Sequence, residues 1–363
     1  MTTQLPAHQG YQTTIADTMA DTMAGAVADA EAEVAAMRLQ RFPHELPTVY
    51  YDVAPSPDVP EIGMFFLVPG NPGLPQFYGP FLLRLRDLLP GWRLVCVSQA
   101  GGCASSTGPP EARRPVIGLD AQVVHKVAVL TRLLGAHGYL DTDRKVVLAG
   151  HSIGAWMVQQ MVVALAAAGN RVPVSQAVLL FPTVRDIAQS PSGVRLTRLL
   201  GVAPWLPQAV ATLAGGLRAL PATPARWLVA AVMGGPPPHA LEAAYDLAAT
   251  PAAVAQTLGM AAEEMALVAA ESPAVRNGFW PAWAERSPAG AARAVVAAER
   301  TGAQIAVFFA PSDHWVADRT RAEIMSDHGV HDHVYFAVVE GSSHAFCVKE
   351  SELMAEQVAA VVV

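Results

Sequence analysis

Lys145-Val146-Val147-Leu148-Ala149-Gly150-His151-Ser152-Ile153-Gly154-Ala155-Trp156-Met157-Val158 is the stretch on which the reading of this chain turns. An apolar, β-branched run leads up to Gly150, and an uncharged helical pattern follows Gly154. Between them stands G-x-S-x-G. Strand, G-x-S-x-G, helix predicts a nucleophile elbow, a sharp and strained turn that lifts the Ser152 hydroxyl above a sheet. Glycines two residues either side of the serine leave room for strand and helix to pack closely. The pentapeptide alone is weak evidence, because Gly and Ser are common. The flanking strand and helix carry the reading against its alternative, a glycine-rich turn with an idle serine.

Strands and helices alternate on both sides of this element. Thr48–Val53 reads as an edge strand, Met64–Val68 as a short buried strand, and Arg93–Ser98 as the next. Ser175–Phe181, Gln304–Ala310 and His333–Val339 complete the set. Helical periodicity runs over 77–89, 119–134, 153–168 and 345–361. Strands spaced by helices predict an α/β fold with a mostly parallel central sheet flanked by helices on both faces. Residues 182–303 break the rhythm, since a βα connection needs far fewer. This insert is rich in Ala, Leu, Val and Pro, and holds Trp205, Trp227, Trp280 and Trp283. It predicts a large helical lid over the active site, with an apolar face and tryptophans that could also rest in a lipid interface; an ordinary buried helical cap is the alternative. The uncharged run Leu199–Gly216 is long enough to suggest a membrane span. Pro204 and Pro207 argue against one, and Arg218 and Arg226 follow closely. The resulting division is an N-terminal extension over 1–46, helical or disordered, a core over 47–182 and 299–363, and the lid over 183–298.

A serine hydroxyl is a poor nucleophile at neutral pH without a base beside it and an acid to orient that base. In a strand-elbow-helix architecture the order along the chain is Ser, Asp or Glu, His. Asp313 lies in Ala310-Pro311-Ser312-Asp313-His314, just past one late strand, and His344 lies in Gly341-Ser342-Ser343-His344-Ala345-Phe346, just past another. The carboxyl ends of parallel strands converge on one edge of the sheet, so Ser152, Asp313 and His344 are the candidate catalytic residues. Asp186 is an alternative acid in a variant arrangement, and Asp318 falls on the next helix. His151 and His125 read as structural. His328, His331 and His333 form a loose cluster that reads as a solvated loop rather than a metal site, with no Cys or Glu at ligand spacing. A negative tetrahedral oxygen also needs donors. The N–H of Ile153, just after the serine, supplies one. The loop Pro69-Gly70-Asn71-Pro72-Gly73 supplies the other, through Asn71, since proline has no N–H. The same loop also reads as a plain tight turn.

Composition narrows the partners. The chain of 363 residues is 52% hydrophobic and 15% charged, against a usual charged fraction of about 25%. The surplus of apolar residues predicts an exposed apolar surface or a greasy cavity beyond the core. Net charge is −7 and no basic block stands out, which argues against nucleic acid. Cys96, Cys103 and Cys347 are too few and too scattered for a disulfide framework. Cys96 reads as a small core hydrophobe. Residues 1–40 carry acidic residues throughout and read as neither a signal nor a transit peptide; residues 14–40 read as an alanine-rich helix outside the core. No cofactor and no metal is expected, because serine chemistry requires none and neither a P-loop nor a G-x-G-x-x-G fingerprint is present.

Several segments together resemble a known family. They are Val68-Pro69-Gly70-Asn71-Pro72-Gly73 with Phe77-Tyr78, Gly118-Leu119-Asp120 with Gln122 and His125-Lys126, and Gly150 to Gly154. Leu179-Leu180-Phe181-Pro182-Thr183, Ser190-Pro191-Ser192-Gly193 and His344-Ala345-Phe346 extend the match. In these the chain resembles the lipid droplet-associated hydrolases, a branch of the α/β-hydrolase superfamily, from about residue 65 to 350. The resemblance implies the α/β-hydrolase fold, the triad Ser152, Asp313 and His344, and esterase action on neutral lipids such as sterol esters or acylglycerols. It also implies contact with a lipid droplet or membrane surface through the 195–235 region. The location implied is the droplet surface or the cytoplasmic face of the endoplasmic reticulum, otherwise the cytosol. Residues 1–46 have no counterpart in the family, and much of 200–300 matches only in apolar character. Two rival readings accompany this one: a droplet-coating protein with little or no turnover, and a hydrolase of soluble small esters or thioesters.

Overall fold

The structure is a computed structural model that describes residues 31–43, 45–102, 115–140, 142–169, 172, 174–281, 283 and 303–362. Residues 1–38 and 39–363 separate as two compact units. In the first, residues 31–36 are helical; the rest of the N-terminal helix expected over 14–40 lies outside the described residues, apart from the chain at 37–40. Cys103 and residues 284–298 of the expected lid also lie outside them.

The second unit is built on one eight-stranded sheet. The strands are β1 (Gln40–Arg41), β2 (Val49–Val53), β3 (Gly63–Val68), β4 (Trp92–Val97), β5 (Lys145–His151), β6 (Val174–Leu180), β7 (Ile305–Phe309) and β8 (Val334–Val338). Their spatial order is β1-β2-β4-β3-β5-β6-β7-β8. The pairs β1–β2 and β2–β4 are antiparallel and the remaining five are parallel. Every residue of β3 and β7 is buried, as is β5 from Val146 onward. These strands read as continuous apolar runs because helices cover both faces of a parallel sheet.

Those helices are α1 (Gly79–Leu88), α2 (Leu119–Ala136), α3 (Ile153–Ala167), α4 (Pro191–Val202), α5 (Leu206–Arg218), α6 (Ala222–Met233), α7 (Pro238–Ala248), α8 (Pro251–Leu267), α9 (Pro273–Gly278), α10 (Asp318–His328), α11 (Phe346–Lys349) and α12 (Ser351–Ala359). Helices α4 to α9 lie between β6 and β7. The uncharged run Leu199–Gly216 is divided between α4 and α5, which meet around Pro204. No helix among the described residues is long and apolar enough to cross a membrane.

Residues 40–41, assigned to the N-terminal extension, form the edge strand, so the strand at 49–53 is second from the edge. The expected helix over 77–89 begins as a 3-10 turn, Pro75–Tyr78. The expected terminal helix over 345–361 is two helices, interrupted at Glu350. His328 and His333 are buried, not part of a solvated loop. His328 stacks on Trp280 with ring centroids 3.8 Å apart, and His333 Nε2 bonds the Trp280 carbonyl at 2.6 Å. The insert's four tryptophans divide as well. Trp280 and Trp283 belong to the main core, whereas Trp205 and Trp227 face solvent.

Register places the loops that matter. Val68 pairs with Gly150, Gly150 with Leu179, Leu180 with Phe308, and Phe309 with Val338. The turns after β3, β5, β6, β7 and β8 therefore emerge at one edge of the sheet, the edge where open α/β folds place their sites.

Candidate active site

Ser152 sits between β5 and α3 with φ 54° and ψ −123°. A left-handed conformation is costly for a residue with a side chain, and such strain concentrates at functional positions. Two glycines make the turn possible. A Cβ on Gly150 would run into the Gly154 carbonyl, and one on Gly154 into the Val68 carbonyl. No other residue type lets α3 begin this close to β3 and β5. The strand bond Ser152 N–H to Leu180 O, 2.9 Å, fixes the turn from the β6 side.

The structure brings the three candidate residues into one hydrogen-bonded row. His344 Nε2 lies 3.0 Å from Ser152 Oγ, and His344 Nδ1 lies 2.8 Å from Asp313 Oδ2. The second oxygen of Asp313 accepts the N–H of Trp315 at 2.7 Å and of Val316 at 3.1 Å. Burial opposes the charge of Asp313, but the His344 bond and these two amides outweigh it and hold the carboxyl below its usual range. An ionised Asp313 fixes the tautomer. Nδ1–H of His344 donates to it, leaving the Nε2 lone pair to accept from the Ser152 hydroxyl.

Asp186, the alternative acid, takes no part: its carboxylate accepts from Gln189 Nε2 at 2.6 Å and its N–H bonds Ala269 O at 3.1 Å. Asp318 begins α10 and pairs with Arg321. The Ser190-Pro191-Ser192-Gly193 segment has a local role. Ser190 caps α4 by accepting the Gly193 N–H, and the Ser192 N–H bonds the His314 carbonyl at 2.8 Å. The insert's first helix is thereby tied to the loop carrying Asp313.

The loop after β3 lies against the elbow. The Cα of Gly70 is so near that a Cβ there would crowd the Ser152 Cβ and the His151 main chain. Pro69 O accepts from Gln99 Nε2 at 2.8 Å, and the Gly70 N–H donates to Tyr78 Oη at 3.0 Å. Ile153 opens α3, so its N–H is one that a helix leaves without an intrahelical acceptor.

His151 and Tyr78 extend this framework. His151 Nε2 lies 2.8 Å from the His344 carbonyl and Nδ1 lies 2.6 Å from Tyr78 Oη. A carbonyl only accepts, so Nε2 carries the proton, Nδ1 accepts from the Tyr78 hydroxyl, and the Tyr78 oxygen accepts from Gly70. Burial, helped by the neighbouring His344, pushes the His151 imidazole down to about 3. His151 is thus a neutral spacer that joins the Gly70 loop to the main chain of His344. His125 is likewise structural, with Nε2 2.7 Å from Thr48 Oγ1.

Sequence reasoning missed one group. Asn71 Nδ2 donates to the Thr257 carbonyl and to Glu264 Oε1, both at 2.9 Å and both on α8. The available signal was Glu263-Glu264, the only charged residues in the seventeen of α8.

A family model described as lipid-droplet associated hydrolase matches residues 62–347. The chain belongs to the lipid-droplet associated hydrolase family. The human lipid droplet-associated hydrolase is 33% identical over 151 residues, and the Gallus gallus protein of that name is 34% identical over 148. Each match covers 38% of this chain and 42% of the relative, so the chain spans less than half the length of the curated relatives it matches. Among solved structures, 2-hydroxy-6-oxo-6-phenylhexa-2,4-dienoate hydrolase from a Rhodococcus species superposes with a TM-score of 0.55. That superposition covers 89% of this chain and 97% of the other at 16% identity, a likeness of fold. The fold is that of the α/β hydrolases.

Proposed function

We propose that this protein is a serine esterase acting on carboxylic esters of lipids at a lipid surface. The observation that carries the reading is the row Ser152 Oγ, His344, Asp313. Ser152 attacks the ester carbonyl while His344 Nε2 takes its proton, and Asp313 steadies the imidazolium that forms. The N–H groups of Ile153 and Asn71 stabilise the tetrahedral oxyanion. His344 then gives its proton to the leaving alcohol. Water, deprotonated by His344, attacks the acyl-serine and releases the acid.

The name carried by the relatives, lipid droplet-associated hydrolase, supports a lipid surface as the place of action, and sterol esters or acylglycerols are the substrate class we propose there. The apolar side chains exposed on α4 to α6 support the same place. Val202 is 86% exposed and Trp227 is 73% exposed, with Trp205, Leu213 and Val232 also open to solvent.

Labelling with a fluorophosphonate tests the chemistry. The wild-type protein takes up the probe and Ser152→Ala does not, while turnover in that variant falls by ~10⁴-fold or more. Undiminished labelling of Ser152→Ala would remove the assignment. An unlabelled wild-type protein that still binds lipid would leave a surface protein without turnover. A preference for short soluble esters, with no rise in rate at an interface, would exclude lipids as the substrate.

A further inference from the structure

We infer that helix α8 of the insert is part of the oxyanion machinery: Glu264, with the Thr257 carbonyl, latches the side chain of Asn71 and so sets the position of the Asn71 N–H. The inference rests on the esterase reading above and goes beyond it by naming a positioning residue outside the row of three.

The latch engages both hydrogens of one amide. Thr257 O and Glu264 Oε1 each accept from Asn71 Nδ2 at 2.9 Å. They stand seven positions apart, two turns of helix, and so present to one face of α8. Glu264 is buried, and burial pushes its carboxyl up to about 8, against the Asn71 bond and with the charge of Glu263 adding to the rise. Burial thus favours its neutral, protonated form. Its deep burial in a helix otherwise almost devoid of charge is costly without a partner, and Asn71 is its hydrogen-bond partner.

A latch is useful only if what holds it is fixed, and α8 is. Gln256 Oε1 accepts the Ile117 N–H and Gln256 Nε2 donates to the Ile117 carbonyl, both at 2.9 Å. Glu263 Oε2 accepts the Leu119 N–H at the start of α2, 3.0 Å away. Gly259 packs so closely on Val116 that a Cβ would not fit. Just past the helix, the Val268 and Ala269 carbonyls accept from Ile187 and Asp186. The helix is pinned to the α2 entry along its length and to the loop after β6 at its end.

Three successive residues of the loop are then held from three directions. Pro69 is held by Gln99, Gly70 by Tyr78, and Asn71 by α8. A donor has to be aimed at where the oxyanion forms rather than at the ground-state carbonyl, and a misplacement of about 1 Å costs on the order of 100-fold. Loosening Asn71 therefore acts on the transition state and leaves ester binding alone.

The test uses the whole protein, a soluble p-nitrophenyl ester and a trifluoromethyl ketone, which takes the tetrahedral oxyanion form. Glu264→Leu lowers kcat about 10- to 100-fold with KM within about twofold, and weakens the ketone by the same factor as kcat. Glu264→Gln, which keeps an accepting Oε1, recovers most of the loss. Asn71→Ala keeps the N–H but drops the latch, and it matches Glu264→Leu. Thermal melts establish that each variant is folded, and Asn71→Ala decides the matter if Glu264→Leu is not. The latch is overturned if kcat in the latch-deficient variants stays within about twofold of wild type, or if KM rises in step with its fall. It is equally overturned if folded Glu264→Gln is as slow as Leu. Fluorophosphonate labelling keeps the two ideas apart. A labelled wild type with unaffected variants removes the latch and keeps the esterase, whereas an unlabelled wild type removes both.

Discussion

Lys126 shows how far this chain bends ordinary side-chain chemistry for the sake of packing. Its ammonium group is fully buried, donates to the Ser98 carbonyl at 2.8 Å, and is pushed down to about 7 by burial. The unfolded chain keeps the ordinary value of 10.5. Because the folded value is the lower one, the stability linked to this group is fully present above pH 10.5. It is lost as the pH falls from there through 7. Urea unfolding of Lys126→Met and wild type across pH 10 to 6 reads this directly. The difference between them shifts in favour of the variant as the pH falls to 7 and levels off below; a difference independent of pH contradicts the shift. The same scale shows what sequence makes legible. Ser152, Asp313 and His344 could be picked out because each stands just past an apolar run, at positions the architecture converts into one edge. His151 reads as structural from sequence, but its tautomer and its bond to the His344 carbonyl depend on a partner 193 residues away.

At the scale of elements, the crossing of β3, β5 and α3 is a tight joint beside the Ser152 turn. Gly154 has no room for a methyl group because the Val68 carbonyl is already there. Gly154→Ala therefore destabilises by about 1 to 3 kcal/mol, as overpacking of a rigid joint does, and lowers the melting temperature. Turnover falls with it, because the start of α3 moves away from the Ser152 turn. An unchanged melting temperature contradicts the packing account. Helix α5 illustrates the opposite case. Ala211 and Ala214 pack on Val254 of α8, while Leu213 stays in solvent. Its composition suggested a lipid-facing segment, but only the packing tells which side is already occupied.

Across the whole molecule, the insert holds two kinds of helix. Helix α8 is bolted to the body by Gln256, Glu263 and Glu264, whereas α4 to α6 expose large apolar side chains. Buried anchoring and exposed apolar surface thus fall to different parts of one insert. Trp205→Asp combined with Trp227→Asp is expected to cut binding to a triolein emulsion coated with phospholipid by about tenfold or more. Hydrolysis of a soluble short-chain ester stays within about twofold of wild type. Equal binding by variant and parent, measured by co-flotation, contradicts a lipid role for this face. The alternation of strands and helices, the elbow, the order of the three candidate residues and the apolar character of the insert are all legible in the amino-acid order alone. These are written in local periodicity, in glycines that a close approach demands and in residue types that chemistry requires. Which tryptophans are core and which are surface, which strand is the edge, and that a buried acid of α8 grips Asn71 emerge from long-range packing alone. Each of those depends on which distant segment comes to lie alongside, and burial and hydrogen-bond geometry exist only once the chain has folded.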